Sequence, residues 1–379
     1  MTDAPLKILF HTWSLGGGGA ERVFAVLASG LAARGHDVIF SVESEDDHNG
    51  RLISDTVRRF PPTGGRVRTV RELARLIASE RPDVSISAIS ACNLRHAIAA
   101  TWAGRRHHAI MSYHGHARAE AELSNRIGYW ATPVTTRLVA RTVAVSDGLR
   151  RHIVETWHGA PHNTVRIYNP TLAAEADATP PTEADLVARP PTVVSVGSLQ
   201  PRKNFSGLIR AFARVTTPDA RLVIVGEGLM RGELEAEIRQ LGLAGRVSLP
   251  GYMAAPWAAY AGARAFAFAS REESFGLVIV EALAAGLPVV VTPSDGPVEI
   301  LDHGRYGTLV AHDDPGAMAA AIDAALAHPG DPAPRLQRAG DFCVPTGIDA
   351  YETLFRQVAA EAERRQHGGF ASVRPGRSV

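Results

Sequence analysis

Along nearly all of the 379 residues, apolar runs of four to seven positions alternate with segments in which apolar side chains recur every three or four residues. Residues 6–10, 38–42, 83–88, 109–113 and 142–145 read as strands, and 20–34 as a helix with Val23, Val26, Leu27 and Leu31 on one face. Strands apolar throughout are covered on both faces, and their alternation with helices predicts parallel sheets with crossover helices. Residues 171–191 are rich in Pro, Ala and acid, lack an apolar period and read as a linker. The pattern then restarts, with strands at 192–196, 222–225, 246–249, 265–269 and 287–291 and helices near 205–216, 230–241, 254–261 and 276–286. The expectation is an α/β chain of two doubly wound domains, 1–170 and 192–345. Ligands in such folds collect at the carboxyl ends of strands, here in a cleft between domains. A last helix, 346–366, starts at Thr346 with Asp349 in a capping-box-like pair. Its stripe of Ile348, Tyr351, Leu354, Phe355 and Val358 predicts packing back on the first domain, and 367–379 reads as a mobile tail.

Composition narrows the class. The chain is 45% hydrophobic and 21% charged, and 40 basic against 39 acidic residues leave +1. That balance excludes a wholly basic nucleic-acid binder and an acidic disordered chain. Only Cys92 and Cys343 are present, so no disulfide framework or Cys-based zinc site is expected, and a reducing, cytoplasmic compartment fits. The amino terminus runs into a strand without a signal-like region, and no apolar stretch reaches the ~18 residues of a membrane span. Within 90–170, however, ten arginines face four carboxylates, a local +6. Arg105-Arg106 and Arg150-Arg151 are candidates for meeting anionic lipid headgroups or a lipid-linked pyrophosphate, with peripheral attachment to the inner face of the plasma membrane. An Arg-rich solvated surface is the alternative.

Chemistry concentrates in four segments. Residues 273–290 read as loop, helix, glycine stop and strand, with Glu273 in the loop and Glu281 two turns into the helix. Gly276 near the helix start lets a ligand approach backbone N–H groups at the positive end of the dipole, as a phosphate would. After the strand ending at Val196, Gly197 allows a tight turn and Arg202-Lys203 precede a helix, cations suited to a diphosphate. Gly16–Gly19 opens the first helix; it fails as a dinucleotide fingerprint because Glu21 takes the third glycine position. His114 ends a strand, either as a ligand contact or satisfied by backbone. Histidines 107, 108, 114 and 116 lack a carboxylate or Cys at ligand spacing, so no metal site is expected.

Together these segments resemble the retaining glycosyltransferases of family 4, which have the GT-B fold of two Rossmann-like domains facing a cleft. Glu273 and Glu281 match the family's paired glutamates, although Ser274 stands where glycine is commoner. The resemblance implies that Glu281 binds donor ribose hydroxyls. It implies that Glu273, with the backbone N–H groups of Phe275, Gly276 and Leu277, holds sugar hydroxyls and the distal phosphate. Arg202 and Lys203 become the diphosphate ligands, and Gly17 and Gly18 lie beside the donor phosphates and the acceptor. His114 reaches the donor sugar, Gly226 of the 224–228 turn lies near the nucleotide, and Met253 of the 250–253 loop near the base. Asn169-Pro170-Thr171 departs from the family's usual segment and resembles members handling N-acetylhexosamine.

The implied reaction is retaining transfer of a sugar from a nucleotide diphosphate sugar, uridine-linked by preference, to an acceptor hydroxyl of a glycan, glycolipid or polyprenyl-linked saccharide. No Asp-x-Asp motif is present, and neither cofactor nor metal is expected. No facing nucleophile pairs with the glutamates as a double displacement would require, so they read as binders, and the resemblance implies the family's same-face substitution. Two alternatives stay open, a nucleotide-sugar epimerase of the same fold and a catalytically silent donor-binding partner.

Overall fold

The computed structural model describes residues 4–61, 66–116, 123–171, 180–253 and 256–368. The chain divides into two compact units, Met1–Pro170 with Val344–Val379, and Thr171–Cys343. Residues 369–379, most of the expected tail, lie outside the described residues.

Unit 1 holds seven strands, β1 (Lys7–Thr12), β2 (Asp37–Val42), β3 (Arg58–Phe60), β4 (Val84–Ala88), β5 (Ala109–Tyr113), β6 (Arg141–Ala144) and β7 (Thr164–Arg166). All pair in parallel, in the order β3-β2-β1-β4-β5-β6-β7. The order reverses direction between β1 and β4, which is the switch point where such sheets open a crevice at their carboxyl ends. Phe10 anchors the core, edge-on to Phe24 at 5.3 Å, stacked on Phe40 at 6.0 Å and edge-on to Phe355 at 6.3 Å. Phe355 belongs to the terminal helix Val344–Gly368, which lies along helix Gly19–Ala33. Arg34 there bridges Asp349 at 2.6 Å and Glu352 at 2.7 Å, and holds the Glu352 carboxyl down at about 2.

Unit 2 repeats the order with six parallel strands. They are β8 (Thr192–Val196), β9 (Arg221–Val225), β10 (Val247–Gly251), β11 (Ala265–Phe268), β12 (Val289–Val291) and β13 (Thr308–Leu309), arranged β10-β9-β8-β11-β12-β13. Its switch point lies between β8 and β11.

Several details differ from the sequence reading. The terminal helix starts at Val344, two residues before Thr346; Pro345 favours the early start because the first turn needs no N–H from it. Residues 171–191 are not linker throughout. Thr182 and Asp185 form a capping box that starts helix Glu183–Ala188, and Leu186 is fully buried, while Thr171 bridges to Cys343. Finally, Arg105-Arg106 precede β5 and Arg150-Arg151 follow β6, at opposite edges of one sheet. Arg105 donates to the Pro82 carbonyl at 2.6 Å and Arg150 to Asp147 at 2.9 Å.

Candidate active site

In unit 2 the loops leaving β8, β9 and β10 are stitched together at the carboxyl edge. The Gly197 N–H donates to Val225, Leu199 N–H to Glu227 at 2.8 Å and Gly226 N–H to Gly251 at 2.9 Å. Gly226 has φ +151, and a Cβ there would run into the Gly197 carbonyl. Its glycine is thus required by the neighbouring turn, independently of any ligand.

After β8, Pro201–Lys203 makes one 3₁₀ turn and Asn204 adopts the left-handed conformation (φ 49). The Asn204 side chain accepts from Gly207 N–H, capping helix Phe205–Phe212, and donates to the Ala269 carbonyl at 3.1 Å. This clamp turns Lys203 inward. Lys203 is buried, its ammonium pairs with Glu273 and lies 5.1 Å from the centre of the Phe268 ring. Burial lowers its pKa, Glu273 opposes that, and the neighbouring Arg202 adds to the lowering. The Arg202 carbonyl accepts from Arg271 N–H at 2.8 Å and Ser270 Oγ at 3.1 Å, which ties the basic turn to the loop carrying Glu273.

Helix Leu277–Ala284 starts at Gly276, whose φ of +104 and lack of a side-chain cap leave the amides of Leu277 and Val278 without an intrahelical acceptor. Phe275 is core, packed on Phe342 at 5.7 Å, and its backbone is pinned by Gly296, where any Cβ would strike the Phe275 carbonyl. Glu281 is 1% exposed, and its carboxylate accepts from the Tyr260 hydroxyl at 2.9 Å. A solvated helix glutamate is thereby excluded. The structure brings Lys203, Arg202, Glu273, Phe275, Gly276 and Leu277 to one loop cluster, with Glu281 on the helix it starts. Met253 is half-buried in the loop after β10, beside the exposed Tyr252.

In unit 1 the glycine loop follows β1. Gly18 precedes helix Gly19–Ala33 without a side-chain cap, and the Asn49 amide donates to the Gly16 carbonyl and, at 3.5 Å, to that of Gly18. Space beside Gly17 is open, whereas a Cβ on Gly18 would meet the Glu21 carboxylate. His114 stands edge-on to Phe24 of the same helix at 5.8 Å. Its Nε2 lies 3.0 Å from Ser112 Oγ, its Nδ1 has no partner, and burial pushes it down to about 4, so it is neutral at pH 7.

Sequence reasoning missed a buried polar layer beneath this edge. Glu43 accepts from Arg95 through both oxygens, at 2.8 and 2.7 Å, and lies 3.0 Å from His11 Nε2. Arg95 also reaches Cys92 Sγ at 3.4 Å. His11, Glu43 and Cys92 have the donor atoms of a metal site, but Arg95 already supplies the positive charge a cation would bring. His96 sits between Ser85 at 2.8 Å and Ser87 at 2.9 Å, and Ser87 and Asn93 continue the chain to the Ser112 carbonyl. Tyr260 was missed too; nothing in its local pattern marks it as the partner of Glu281.

Comparison with known proteins bears on both units. The family model for glycosyl transferases group 1 matches residues 182–340, and that for glycosyltransferase family 4 matches residues 17–171. The chain is 39% identical over 135 residues to a Campylobacter jejuni protein named as an N-acetylgalactosaminyltransferase acting on a diphospho-undecaprenol saccharide. That match spans 35% of this chain and 37% of the relative, so the chain covers only about a third of that protein's length. It is 27% identical over 331 residues to the lipopolysaccharide core glycosyltransferase LpsE of Rhizobium meliloti, covering 82% of this chain and 86% of LpsE. Among solved structures, Anabaena HepE in complex with UDP superposes with a TM-score of 0.69 at 21% identity, over 97% of this chain and 100% of HepE. No helix among the described residues is long and apolar enough to cross a membrane.

Proposed function

Because the chain belongs to the group 1, family 4 glycosyltransferases of GT-B fold, we propose that it moves a hexose or N-acetylhexosamine from a UDP-sugar to an acceptor hydroxyl, with retention of configuration and without a metal ion. The acceptor is a glycan, glycolipid or polyprenyl-linked saccharide. The observation that carries the reading is the buried Lys203–Glu273 pair at the switch point of unit 2, beside a helix start with unclaimed intrahelical amides. A dry, fixed cation next to such amides suits a diphosphate, whose charge grows as the glycosidic bond breaks. HepE, which shares the fold, binds UDP, and the C. jejuni relative is named for an undecaprenol-linked acceptor.

In this reading Arg202 and Lys203 hold the diphosphate, while Glu273 and the amides of Phe275, Gly276 and Leu277 hold sugar hydroxyls and the distal phosphate. Glu281 takes the ribose hydroxyls; the Tyr260 hydrogen bond fixes its carboxylate for that contact. Gly226 and Met253 flank the nucleotide. In unit 1 the loop of Gly17 and Gly18, open at Gly17, and the neutral His114 are the substrate contacts, His114 acting through its ring dipole and not as a cation. The acceptor oxygen bonds to the anomeric carbon as the carbon–phosphate-oxygen bond breaks on the same face. The departing phosphate oxygen takes the acceptor proton, and the protein positions and neutralises.

A thermal-shift panel of nucleotide sugars tests this in chelator. UDP and one UDP-hexose or UDP-N-acetylhexosamine should raise Tm by mass action while GDP-sugars do not. No shift with any nucleotide sugar, or a shift only with added magnesium or manganese, would overturn it.

A further inference from the structure

Between β5 and β6 the chain forms helices Leu123–Trp130 and Thr132–Leu138, and Ala131 between them has helical backbone angles. The ladder runs through the joint, with Ala131 N–H to Ile127 O at 3.0 Å and Thr135 N–H to Ala131 O at 2.9 Å. At roughly 100° per residue, Gly128, Tyr129, Thr132, Thr135 and Thr136 share one side, and all five are buried. The opposite side carries Arg126, Ile127, Trp130, Val134 and Arg137, and all five are exposed. Trp130 is 69% exposed, Val134 61% and Ile127 44%. An outward helix face is ordinarily polar; this one presents three apolar side chains at i, i+3 and i+7 with arginine along one flank. By contrast Trp102, exposed at the end of helix Ser90–Trp102, stands singly and needs no explanation.

The charge along the stripe itself is basic, with Glu120 and Glu122 lying just ahead of it in the sequence. Residues 123–143 contain three arginines, no lysine and no carboxylate. Arg141 is matched by Glu361 at 2.6 Å, but neither Arg126 nor Arg137 has a carboxylate partner among the described residues. The Arg126 guanidinium lies 5.9 Å from the centre of the Trp130 ring. The stripe also begins at the sheet edge that carries His114. A Cβ on Gly128 would strike the Ser90 carbonyl just after β4, and the Tyr129 hydroxyl donates to the Gly115 carbonyl at 3.0 Å.

We propose that this stripe is the face on which the protein lies against an anionic lipid bilayer. Ile127, Trp130 and Val134 enter the boundary between headgroups and acyl chains, and Arg126 and Arg137 meet lipid phosphates. A second copy of the chain fits less well. Three side chains fall well short of the ~800 Å² that each partner buries in a stable complex, and a two-fold contact would set the arginines against each other. The inference deepens the lipid-linked acceptor of the proposed function and rests on that reading for its purpose, since a surface at the His114 edge would receive an acceptor from the membrane.

The test is co-sedimentation of the full chain with vesicles of phosphatidylcholine alone or mixed equally with phosphatidylglycerol, at low and high salt. Quenching of tryptophan fluorescence by brominated phosphatidylcholine in the same vesicles reads insertion. Wild type should bind the mixed vesicles at low salt, release at high salt and be quenched. The triple variant Ile127→Ser, Trp130→Ser, Val134→Ser should bind roughly tenfold more weakly or worse with Tm unchanged, and Arg126→Gln with Arg137→Gln should lose the preference for anionic lipid. Absence of wild-type binding at low salt, or equal binding by the triple variant, would overturn the proposal. So would a dimer in size-exclusion chromatography that the triple variant breaks while vesicles are ignored. Vesicle binding without a UDP-induced thermal shift would instead sink the donor reading and leave this surface standing.

Discussion

The two units share one strand order but bury different chemistry. In unit 1 the strands carry His11, Thr12, Ser41, Ser85, Ser87, Ser112 and Thr142 into the interior, whereas the named strands of unit 2 bury only Ser195 as a polar side chain. The unit 1 layer survives because one helix, Ser90–Trp102, answers the strands with Asn93, Arg95 and His96. Among the described residues the hydroxyls of Thr12 and Thr142 stay without a hydrogen-bond partner, but His11, Glu43, Arg95 and His96 are all paired. A parallel sheet therefore tolerates polar strands when its buried ionisable groups meet partners. Unit 2 keeps its polarity in the loops at the carboxyl edge, where Lys203 and Glu273 pair within reach of a ligand. On the proposed reading the charges of unit 1 serve architecture and those of unit 2 serve chemistry.

The sharpest way to break that assignment is Glu43→Ala. It leaves the Arg95 guanidinium buried without its carboxylate, and loss of one partner from such a pair costs about 3–5 kcal/mol. Tm of unit 1 should fall steeply, while a UDP-induced shift read from unit 2 persists. Replacing both partners, Glu43→Leu with Arg95→Met, should recover much of the loss. If Glu43→Ala left stability intact and abolished transfer, the network would belong to the chemistry and the contrast would fail.

Lys203→Ala probes the other side with a somewhat smaller effect. Hydrolysis of the bound UDP-sugar without acceptor should slow by about 10²–10³-fold, the scale of removing one preorganised group from a developing anion. UDP affinity should change far less, because the group acts chiefly as charge accumulates. Equal losses in turnover and affinity would make Lys203 a ground-state ligand, and a fall in Tm with turnover intact would make it a brace for Glu273.

How far each unit could be read from sequence follows the same divide. The strand and helix alternation marked both sheets because their central strands lie in apolar-rich runs of four or more residues, the three-residue β12 within the run 287–291. β3, β7 and β13, of two or three residues at the sheet edges, are too short to make a run. Lys203, Glu273, Gly276 and Glu281 were legible because each motif is contiguous and punctuated by glycine. The Glu43 network was not, because its members are 32 and 52 residues apart and meet only through the register pairing His11 with Ser41. The sequence marks Lys203 as a diphosphate cation, and only the left-handed turn at Asn204 and the Ala269 anchor show why it is buried.

The smallest predicted effect uses acid. Burial lowers His36, His96, His107, His108 and His114, all in unit 1, with His96 at about 3 and His114 at about 4. A histidine that stays neutral when folded but takes a proton near 6.5 when unfolded makes the unfolded chain bind more protons, so stability falls as pH drops from about 6.5 toward 4. At pH 6 the loss is on the order of 1 kcal/mol for each fully shifted ring. The depressed carboxyls, such as Glu352 at about 2, work in a lower window: their contribution is complete above about 4.5 and is lost as pH falls toward 2. Between pH 7 and 5, then, unit 1 should lose stability. Tryptophan fluorescence separates the two units, since Trp13, Trp102, Trp130 and Trp157 lie in unit 1 and Trp257 alone in unit 2. The fluorescence melting temperature should drop through this range, and His96→Gln, whose amide can still bridge Ser85 and Ser87, should flatten the drop. An unchanged slope in that variant would mean that the buried imidazoles are not what makes unit 1 sensitive to acid.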